Sequence, residues 1–425
     1  MPLDQLIEQL YARRRFGIRP GLDRVTALLE RLGNPHLSFK SIHVVGTNGK
    51  GSTSAFLSSI LTCAGHRTAL FTSPHLVHFN ERFRINEQDI PTQQLESALY
   101  HVLEQAPEDA TFFEVVTALA AVLFAETGIE IAVMEAGMGG RSDATAILPS
   151  LMTLITPISI DHSDYLGSTA AEIAAEKAGI IKPKTVVVSA LQHESALKEI
   201  SRNCREQNTP LFLADRDFSA AWNPHRLLDY NGIHANMVNL KPGIPGSYQS
   251  QNAAVALAAA ELLNGKGVTV APEAFMHGIS KARWPGRMEL IKGRPPLLLD
   301  GAHNPAGAEA LSLALKDYNY RRLQVVTGIM ADKDVTAILS PLAAMADRVY
   351  CVSPAVERAM EAHQLAEKTT ELGMRSTACG SVAAGIAAAR SDAGPEDLIL
   401  VCGSLFTVGE AKALLSGTEY KGIRG

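Results

Sequence analysis

The sequence contains few cysteines, and no two of them have metal-binding spacing. Its five cysteines, Cys63, Cys204, Cys351, Cys379 and Cys402, are scattered and odd in number. Structural zinc sites and disulfide frameworks use closely spaced or paired cysteines, so this pattern argues against both and is typical of a reducing cytoplasm. We expect these side chains to be buried small hydrophobic residues.

Long apolar runs and concentrated positive charge are also missing. No run reaches the ~18 apolar residues of a membrane-spanning helix, and residues 1–10 lack the apolar core of a signal peptide. The net charge is −5, and the basic residues are spread out except for Arg13, Arg14, Arg15 and Arg19. We therefore expect a cytoplasmic monomer that binds neither nucleic acid nor membranes.

What is present is the composition of a globular enzyme. Apolar residues make up 46% of the 425 residues and charged residues 20%. A chain of this length exceeds what one core usually fills, so two domains are expected. The sequence R-W-P-G-R-M-E-L at residues 283–290 interrupts the pattern and predicts a linker between domains at 1–285 and 289–425.

Residues 42–52, I-H-V-V-G-T-N-G-K-G-S, predict a strand, a glycine loop and, from Ser52, a helix that stops before Gly65. Such a turn directs backbone N–H groups and the positive end of a helix dipole at an anion. Gly46, Gly49 and Gly51 allow close backbone approach, and Lys50 adds a positive charge. The segment predicts a phosphate-binding loop.

This loop differs from the usual nucleotide-binding pattern G-x-x-x-x-G-K-[ST]. Val44 occupies the position of the first glycine, Gly51 follows Lys50, and the hydroxyl comes only at Ser52. The alternative is an ordinary glycine-rich turn with a solvated lysine. Three glycines, a lysine and two hydroxyl groups at one strand–helix junction favour the phosphate-binding interpretation.

Apolar strands alternate with helical segments along most of the chain. In the N-terminal part this pattern predicts an α/β fold with about six parallel strands, a doubly wound, mostly parallel sheet carrying the phosphate loop of an ATPase domain. A strand at 151–160 and a β extension within 217–246 are part of this prediction. After residue 290 the alternation restarts and predicts a second, smaller C-terminal α/β domain.

Polar side chains follow several predicted strands where their apolar runs end. Ser73 follows one strand, Glu135 ends another, and Asp161, His162 and Asp164 follow a third. Carboxyl ends of parallel strands are where open α/β sheets bind ligands, and carboxylates are costly to bury unpaired. We expect a divalent metal site there, although Glu135 could instead brace a loop and His162 could be structural.

Lys177 lies near the end of a predicted helix that starts with a capping box, Thr169 and Glu172. On an apolar helix face this lysine would be costly to charge, and burial would keep it neutral. The pattern alone favours the alternative, a surface lysine paired with Glu176 or Glu172.

In the second domain, Asp300 and His303 follow a predicted strand at 297–299. Their position predicts a cleft between the two domains as the functional site. The sequence has no redox-cofactor fingerprint and no evident nucleophile pair, because G-M-G-G-R lacks the spacing of G-x-G-x-x-G. ATP-driven phosphoryl transfer is therefore the favoured chemistry.

Seven blocks along the chain resemble one enzyme family. They are G-T-N-G-K-G-S, T-S-P-H-L, E-A-G-M-G-G-R-S-D-A-T, D-H-S-D-Y-L-G, A-E-K-A-G-I-I-K-P, W-P-G-R and D-G-A-H-N-P. In this order they resemble the folylpolyglutamate synthase/dihydrofolate synthase family, part of the Mur ligase superfamily of ATP-dependent amide ligases. The resemblance covers nearly the whole chain.

The resemblance implies an activity in folate biosynthesis. ATP, with Mg²⁺, would phosphorylate the carboxylate of dihydropteroate or of the terminal glutamate of a folate. The amine of L-glutamate would then attack the acyl phosphate. Segments resembling the pteroate-binding segments of bacterial members lead us to expect both activities in one chain.

The resemblance also implies roles for individual residues. ATP would contact Thr47, Asn48, Gly49, Lys50, Gly51, Ser52, Asn252, Arg287 and Asp300. Mg²⁺ would be held by Ser73, Glu135, His162 and Lys177, the last as a carbamylated lysine. The pteroate group would contact Gly21, Leu22, Asp23, Arg24, Thr111, Phe112, Phe113, Glu114, Ser142, Asp143 and Ala144. L-Glutamate would enter beside His303 and Ser404. The residues expected to act in catalysis are Lys50, His162, Lys177, Asp300 and His303.

Ser142 stands where the family usually has leucine, which alters one wall of the expected pteroate pocket. Two other functions are consistent with parts of the sequence. A Mur-type ligase of cell-wall precursor synthesis would share the loop, although such enzymes generally carry G-T-N-G-K-T and a further N-terminal domain. A non-catalytic nucleotide-binding regulator would need the loop but not Glu135, His162 and Lys177 together.

Overall fold

The computed structural model describes residues 2–13, 17, 21–161 and 163–421. The chain divides into two compact units. The first is built from Met1–Ser73, Asn80–Gly243 and Gln249–Arg283, and the second from Pro74–Phe79, Ile244–Tyr248 and Trp284–Gly425.

The first unit contains both helices and strands along its whole length. Its helices are α1 (Leu3–Ala12), α2 (Asp23–Arg31), α3 (Lys50–Cys63), α4 (Thr92–Gln105), α5 (Phe112–Glu126), α6 (Ser163–Leu166), α7 (Ala170–Ala178), α8 (Glu194–Glu206), α9 (Gln249–Leu263) and α10 (Pro272–Lys281). Its strands are β1 (Lys40–Val45), β2 (Thr68–Phe71), β3 (Phe83–Ile85), β4 (Gln88–Asp89), β5 (Ile131–Glu135), β6 (Ser150–Ile155), β7 (Val187–Ser189), β8 (Leu211–Leu213), β9 (Ser219–Trp222), β10 (Leu228–Asn231) and β11 (Asn236–Leu240). Short 3₁₀ turns lie at Pro35–Leu37, Phe79–Arg82, Ala144–Ile147 and Asn264–Lys266.

Within its described residues, the first unit forms an eight-stranded sheet in the order β4-β3-β2-β5-β1-β6-β7-β8. The strands from β2 to β8 in this order run parallel, while β3 and β4 add an antiparallel edge. This confirms the predicted mostly parallel sheet. β1 lies between β5 and β6, so the ends of three buried strands meet beside the loop that follows β1.

One predicted strand is shorter than expected. The apolar run at 151–160 predicted a strand ending at residue 160, but β6 ends at Ile155. Pro157 has no N–H for a strand ladder, and its carbonyl accepts hydrogen bonds from the N–H groups of Thr47 and Asn48 at 3.0 and 3.3 Å. After β6 the chain therefore turns along the glycine loop. The sequence predicted Asp161 directly after the strand, whereas in the structure the strand ends earlier, at Ile155.

The predicted β extension is a separate antiparallel sheet in the order β11-β10-β9. The carboxylate of Glu261, near the end of α9, anchors it. This carboxylate is buried and accepts hydrogen bonds from the Tyr230 hydroxyl at 2.7 Å and from the N–H groups of Ile233 and Ala235, each at 2.9 Å. Buried carboxylates are stabilised by several donors, so this group fixes the sheet to α9.

The second unit contains the remaining strands and helices. They are β12 (Glu289–Ile291), β13 (Leu297–Leu299), α11 (Pro305–Leu315), β14 (Leu323–Thr327), α12 (Val335–Ala343), β15 (Ala346–Val352), α13 (Ala362–Glu371), β16 (Ser376–Gly380), α14 (Val382–Asp392), β17 (Leu398–Cys402) and α15 (Leu405–Ser416). Its described residues form a six-stranded sheet in the order β12-β13-β17-β14-β15-β16. Only β12 is antiparallel to its neighbour, which confirms the predicted second α/β fold.

Strands of this second sheet are buried on both faces. Leu298 contacts one hydrophobic core, whereas its neighbours Leu297 and Leu299 contact another. Successive side chains of a strand point to opposite faces, so a sheet covered on both sides needs continuous apolar strands. Leu76 and Val77 belong to the second of these cores, although they lie far away in the sequence.

Among the residues that the structure describes, no helix combines the length and apolar character needed to cross a membrane.

We predict that Glu261→Gln weakens the first unit. The glutamine amide would place its own NH₂ donor against N–H groups whose hydrogen bonds the carboxylate now accepts. We expect this to lower the free energy of unfolding by about 2–4 kcal/mol. Chemical denaturation of the purified chain measures this loss. Glu206→Gln, which removes an exposed ion pair with Arg202, is the matched control and should cost less than about 1 kcal/mol. Equal losses in the two variants would contradict the anchoring role.

Candidate active site

The phosphate loop has the backbone geometry that the glycines predicted. Gly46 and Gly49 have φ angles of 145° and 87°, in the region that glycine tolerates best. A side chain at Gly46 would collide with Thr156, and one at Gly49 would collide with the carboxamide of Asn252. The loop is therefore held between β6 and α9 with space only for glycine.

Helix α3 begins at Lys50, two residues earlier than expected, with Gly49 as its N-cap residue. Among the described residues no side chain caps this helix. Its first N–H groups and the positive end of its dipole are therefore the natural partners of an anion. The ammonium of Lys50 lies over the loop, donating to the carbonyl oxygens of Gly46 and Thr47, both at 3.2 Å.

A buried hydrogen-bond chain supports the start of α3. The Gln249 amide donates to the Ser52 hydroxyl at 3.3 Å, and Asn252 donates to Gln249 at 2.8 Å. On the other side of the loop, the Thr47 hydroxyl donates to the Ser159 carbonyl at 3.0 Å. The structure thus brings Asn252 to the loop, as expected. Gln249 and Ser159 were not expected, because no spacing pattern marked them.

Two of the predicted metal ligands lie together at neighbouring strand ends. The N–H of Ser73, just after β2, donates to the Glu135 carboxylate at the end of β5, at 3.3 Å. Glu135 is only 5% exposed. A buried carboxylate beside a serine hydroxyl group is chemically suited to Mg²⁺, which prefers hard oxygen ligands. The alternative loop-bracing role of Glu135 is also present in this contact.

His162, the third predicted ligand, lies outside the described residues. Across 2–13, 17, 21–161 and 163–421, no group of three histidine, cysteine, aspartate or glutamate side chains gathers in a metal-binding arrangement. The expected ligand set also includes Ser73 and Lys177, which are not residues of that kind.

Lys177 lies in the last turn of α7 and is 5% exposed. Burial, and then the positive charge of Lys50, lower the pKa of Lys177 to about 7. The alternative of a surface lysine paired with Glu172 or Glu176 is therefore wrong. Glu172 instead completes the capping box of α7 with Thr169, and Glu176 accepts a hydrogen bond from the Ser142 N–H at 3.4 Å.

The loop after β5 lies directly against this lysine. A side chain at Gly140 would collide with the Lys177 backbone, and the Arg141 N–H donates to the Glu176 carbonyl at 3.0 Å. Gly139 and Gly140, two of the three glycines of G-M-G-G-R, therefore allow the loop to pack closely on α7. This packing places Lys177 in the part of the first unit that also holds Lys50.

The three segments expected to hold a pteroate group contact one another. Arg24, in the first turns of α2, makes a two-pronged ion pair with Glu114 of α5, with contacts at 2.9 and 3.2 Å. Glu114 also closes a capping box with Thr111. Arg24 and Glu114 thus hold the walls of this region together. Gly21 and Asp23 lie at the start of the same helix.

The aromatic residues at the start of α5 have different neighbours. Phe112 stacks on Tyr11 with ring centroids 5.4 Å apart, and the Arg82 guanidinium lies 5.5 Å from its centroid. Phe113 lies 6.0 Å from Phe71, and its ring fills the space that a side chain at Gly137 would need.

The third segment, 142–144, is fixed by its aspartate. Asp143 is buried and accepts hydrogen bonds from the N–H groups of Met138 and Thr145, both at 2.9 Å. Burial raises the pKa of Asp143. Ala144 is buried and Ser142 is half-buried, while Leu22 packs against the core behind them. Asp143 therefore braces the loop from inside.

In the second unit, Asp300 follows the end of β13 and is 2% exposed. Its carboxylate accepts hydrogen bonds from the Tyr248 hydroxyl, the Met288 N–H and the Ala302 N–H at 3.0, 3.0 and 2.9 Å. Burial raises the pKa of Asp300, and the nearby Arg287 opposes that rise. The structure therefore brings the two expected ATP contacts of this unit, Arg287 and Asp300, together.

The two residues expected beside L-glutamate lie at neighbouring strand ends. His303 follows β13, and its Nδ1 lies 2.8 Å from the Gly301 carbonyl oxygen. Ser404 follows β17 and caps α15, accepting a hydrogen bond from the Thr407 N–H at 3.1 Å. β13 and β17 are adjacent and parallel. The capping bond gives Ser404 a structural role of its own.

These features define the chain as a ligase of the Mur type. Residues 44–260 match the Mur ligase middle domain, and residues 286–405 match the Mur ligase, glutamate ligase domain.

Named relatives match over nearly the whole chain. The dihydrofolate synthase/folylpolyglutamate synthase of Bacillus subtilis is 34% identical over 422 residues, 96% of this chain and 97% of that protein. The structure of E. coli FolC in complex with DHPP and ADP is similar with a TM-score of 0.89 at 32% identity, covering 97% of this chain and 98% of that chain. The bifunctional folylpolyglutamate synthase/dihydrofolate synthase of Yersinia pestis, complexed with AMPPNP and Mn ion, has a TM-score of 0.88 at 30% identity, with 98% of both chains covered. The chain belongs to the dihydrofolate synthase/folylpolyglutamate synthase family.

We predict that Lys177 makes stability depend on pH. An unfolded lysine keeps its proton up to a pH of about 10.4, whereas the folded chain releases this proton near pH 7. Between these values the unfolded chain binds more protons, so the free energy of unfolding rises with pH, by at most about 1.4 kcal/mol per pH unit. Lys177→Met should remove this part of the slope.

Urea denaturation at pH 7, 8 and 9 measures the effect, with a metal chelator present and bicarbonate absent. Lys198→Met, at an exposed position of α8, is the matched control and should keep the slope of the unchanged chain. If Lys177→Met also keeps that slope, Lys177 is not a neutral lysine in the folded chain.

Proposed function

We propose that this chain joins L-glutamate both to dihydropteroate, giving dihydrofolate, and to the glutamate tail of folates. Its membership of an ATP-dependent ligase family supports the reaction class. Relatives whose names combine both activities support the pair of substrates.

The proposal rests on three features that lie in the same unit. The uncapped start of α3, the Ser73–Glu135 contact and the buried Lys177 belong to the same unit, and three adjacent parallel strands, β2, β5 and β1, end beside them. Together they offer backbone donors for phosphates and hard ligands for a cation, which is the combination that phosphoryl transfer requires.

In this proposal ATP binds with its phosphates at the loop. The N–H groups at the start of α3, residues 50–52, would hold the phosphate oxygens, Thr47 and Asn48 would line the loop beside them, and Asn252 would support the loop from α9. Lys50 would leave the carbonyl oxygens of Gly46 and Thr47 to balance the charge of the transferred phosphoryl group. Such sites accelerate the reaction because they stabilise the negative charge that develops while the phosphoryl group is transferred.

Ser73, Glu135, His162 and Lys177 would hold Mg²⁺. The ion would supply charge neutralisation on the phosphate oxygens. A neutral amine is the form of lysine that reacts with CO₂, so the lowered pKa of Lys177 suits the proposed carbamate. Carbamylation converts the amine into an anion, which gives the site a second carboxylate-like ligand beside Glu135.

The chemistry then proceeds in two balanced steps. A carboxylate oxygen of the pterin substrate attacks the γ-phosphorus of ATP, breaking its bond to the bridging oxygen and releasing ADP. The neutral amine of L-glutamate next attacks the acyl carbon and the C–O bond to phosphate breaks. The nitrogen loses one proton, which the departing phosphate takes up, so that an amide and inorganic phosphate form. The chain mainly positions the reactants for both steps.

The remaining expected residues take supporting parts in the proposal. Arg287 and Asp300 would contact ATP, and His303 and Ser404 would line the entry of L-glutamate. The pteroate group would lie against the segments that contain Leu22, Phe113 and Ser142, with the Arg24–Glu114 ion pair holding their walls together. The monomeric state expected from the sequence stays a prediction.

The direct test supplies the purified chain with ATP, Mg²⁺, L-glutamate and either dihydropteroate or a tetrahydrofolate. Phosphate release and a product longer by one glutamate are expected with both. Release with the folate alone would contradict the first activity. A parallel assay replaces the pterin substrate with a uridine nucleotide precursor, and release in that assay alone would support the cell-wall alternative instead.

We predict that Glu135→Gln lowers turnover about 100-fold or more, because the proposed metal site loses its glutamate carboxylate. The control is Glu130→Gln, at the opposite end of the same strand, where the carboxylate pairs with His66 at 3.1 Å. Because this ion pair is exposed, its loss should leave turnover nearly unchanged. Steady-state phosphate release at saturating ATP measures both variants.

Lys177→Ala should also lose most turnover, and short carboxylic acids such as formate or acetate should restore part of it. Such acids can replace a carbamate but not an ammonium. Lys50→Ala is the matched control, because its missing group is a cation that these acids cannot replace. Rescue of both variants, or of neither, would argue against a carbamate on Lys177.

A further inference from the structure

The turn that carries Arg287 lies in a conformation that needs support. Met288, the next residue, has a φ of 44°, a backbone conformation that residues other than glycine rarely adopt. Its side chain is fully buried in a core of the second unit. Strained residues of this kind persist where the surroundings hold them in place.

Two hydrogen bonds donated by backbone N–H groups fix this turn to the end of β13. The Met288 N–H donates to the Asp300 carboxylate at 3.0 Å, and the Gly301 N–H donates to the Gly286 carbonyl at 2.9 Å. The Arg287 guanidinium packs against Gly301, with its Nη1 3.0 Å from the position that a Cβ atom on this glycine would occupy. The place of Arg287 therefore depends on Asp300.

Tyr248 completes this arrangement. Its hydroxyl donates to Oδ2 of Asp300 at 3.0 Å, the same oxygen that accepts the Met288 N–H. Its ring packs against the core that contains Met288. Oδ2 thus accepts two hydrogen bonds. The bond from the Tyr248 hydroxyl orients the carboxylate, and through the other bond the carboxylate orients the Met288 N–H. Without the hydroxyl, a buried carboxylate would lose a donor and gain freedom to rotate.

We propose that Tyr248 is a positioning residue for nucleotide binding, acting on Arg287 through Asp300 and the strained Met288 N–H. The inference rests on the proposed contact of Arg287 with ATP. Tyr248 itself touches neither reacting group in this proposal. Its effect should therefore appear in the binding of ATP and ADP and leave the chemical steps nearly unchanged.

The first test compares Tyr248→Phe with the unchanged full-length chain. We expect the KM for ATP and the Kd for ADP to rise about 5- to 20-fold, as for loss of a hydrogen bond to a charged group. The kcat at saturating ATP should stay within about twofold. An unchanged ADP affinity in a folded variant would overturn the proposal.

Tyr230→Phe is the matched control, because it removes a hydroxyl that donates to another buried carboxylate, Glu261, at 2.7 Å. It should lower the melting temperature without changing the KM for ATP. Tyr318→Phe is a second control, since Tyr318 lies near enough to sense the charge of Asp300. If either control weakens ADP binding as much as Tyr248→Phe, the effect is general destabilisation and the proposal fails.

A double-mutant cycle tests the route through Arg287. If Tyr248 acts by placing Arg287, then Tyr248→Phe should weaken ADP binding little in a chain that already carries Arg287→Ala. A full additional loss would overturn that route. Calorimetric ADP binding is the readout, so the cycle remains informative even if the unchanged chain fails to ligate glutamate, an outcome that would contradict the proposed function alone.

Discussion

The anion-binding surface of the first unit depends on the N-terminus of α3, which no described side chain caps. A helix start of this kind binds an anion only if the preceding loop is held rigidly, because the donors must point at one place. Here β6 and α9 hold it from two sides, through Thr156 and Asn252, and leave no space for side chains at Gly46 and Gly49. The early end of β6 and the position of Gln249 follow from the same requirement.

Charge around the loop is arranged by burial as well as by pairing. Lys50 and Lys177 lie close enough for the charge of Lys50 to lower the pKa of the buried Lys177, because two ammonium groups so placed would repel each other. The neutral form of Lys177 removes this conflict. The buried Glu135 then remains beside the loop as the carboxylate that we propose to bind a cation, whereas the carboxylate of Asp143 already accepts hydrogen bonds from backbone N–H groups.

Much of the fold and of the candidate site could be predicted from the sequence, because strand ends and glycine turns follow from local sequence patterns. The bounds of β13 and the closeness of Ser73 and Glu135 are of that kind. The environment of Lys177 is not, because its burial depends on the loop around Gly140, which comes from a different strand. Tyr248 and Gln249 escaped prediction for the same reason, since each acts on a residue far away in the chain.

The second unit is not a continuous piece of the sequence. Leu76 and Val77 contribute to its core, and Tyr248 supports its strand end, although all three precede Trp284. A fragment starting after residue 283 would lack these side chains and expose the apolar surface they cover. The second unit therefore cannot be exchanged as one continuous module: a functional chimera would have to transplant Pro74–Phe79 and Ile244–Tyr248 together with Trp284–Gly425.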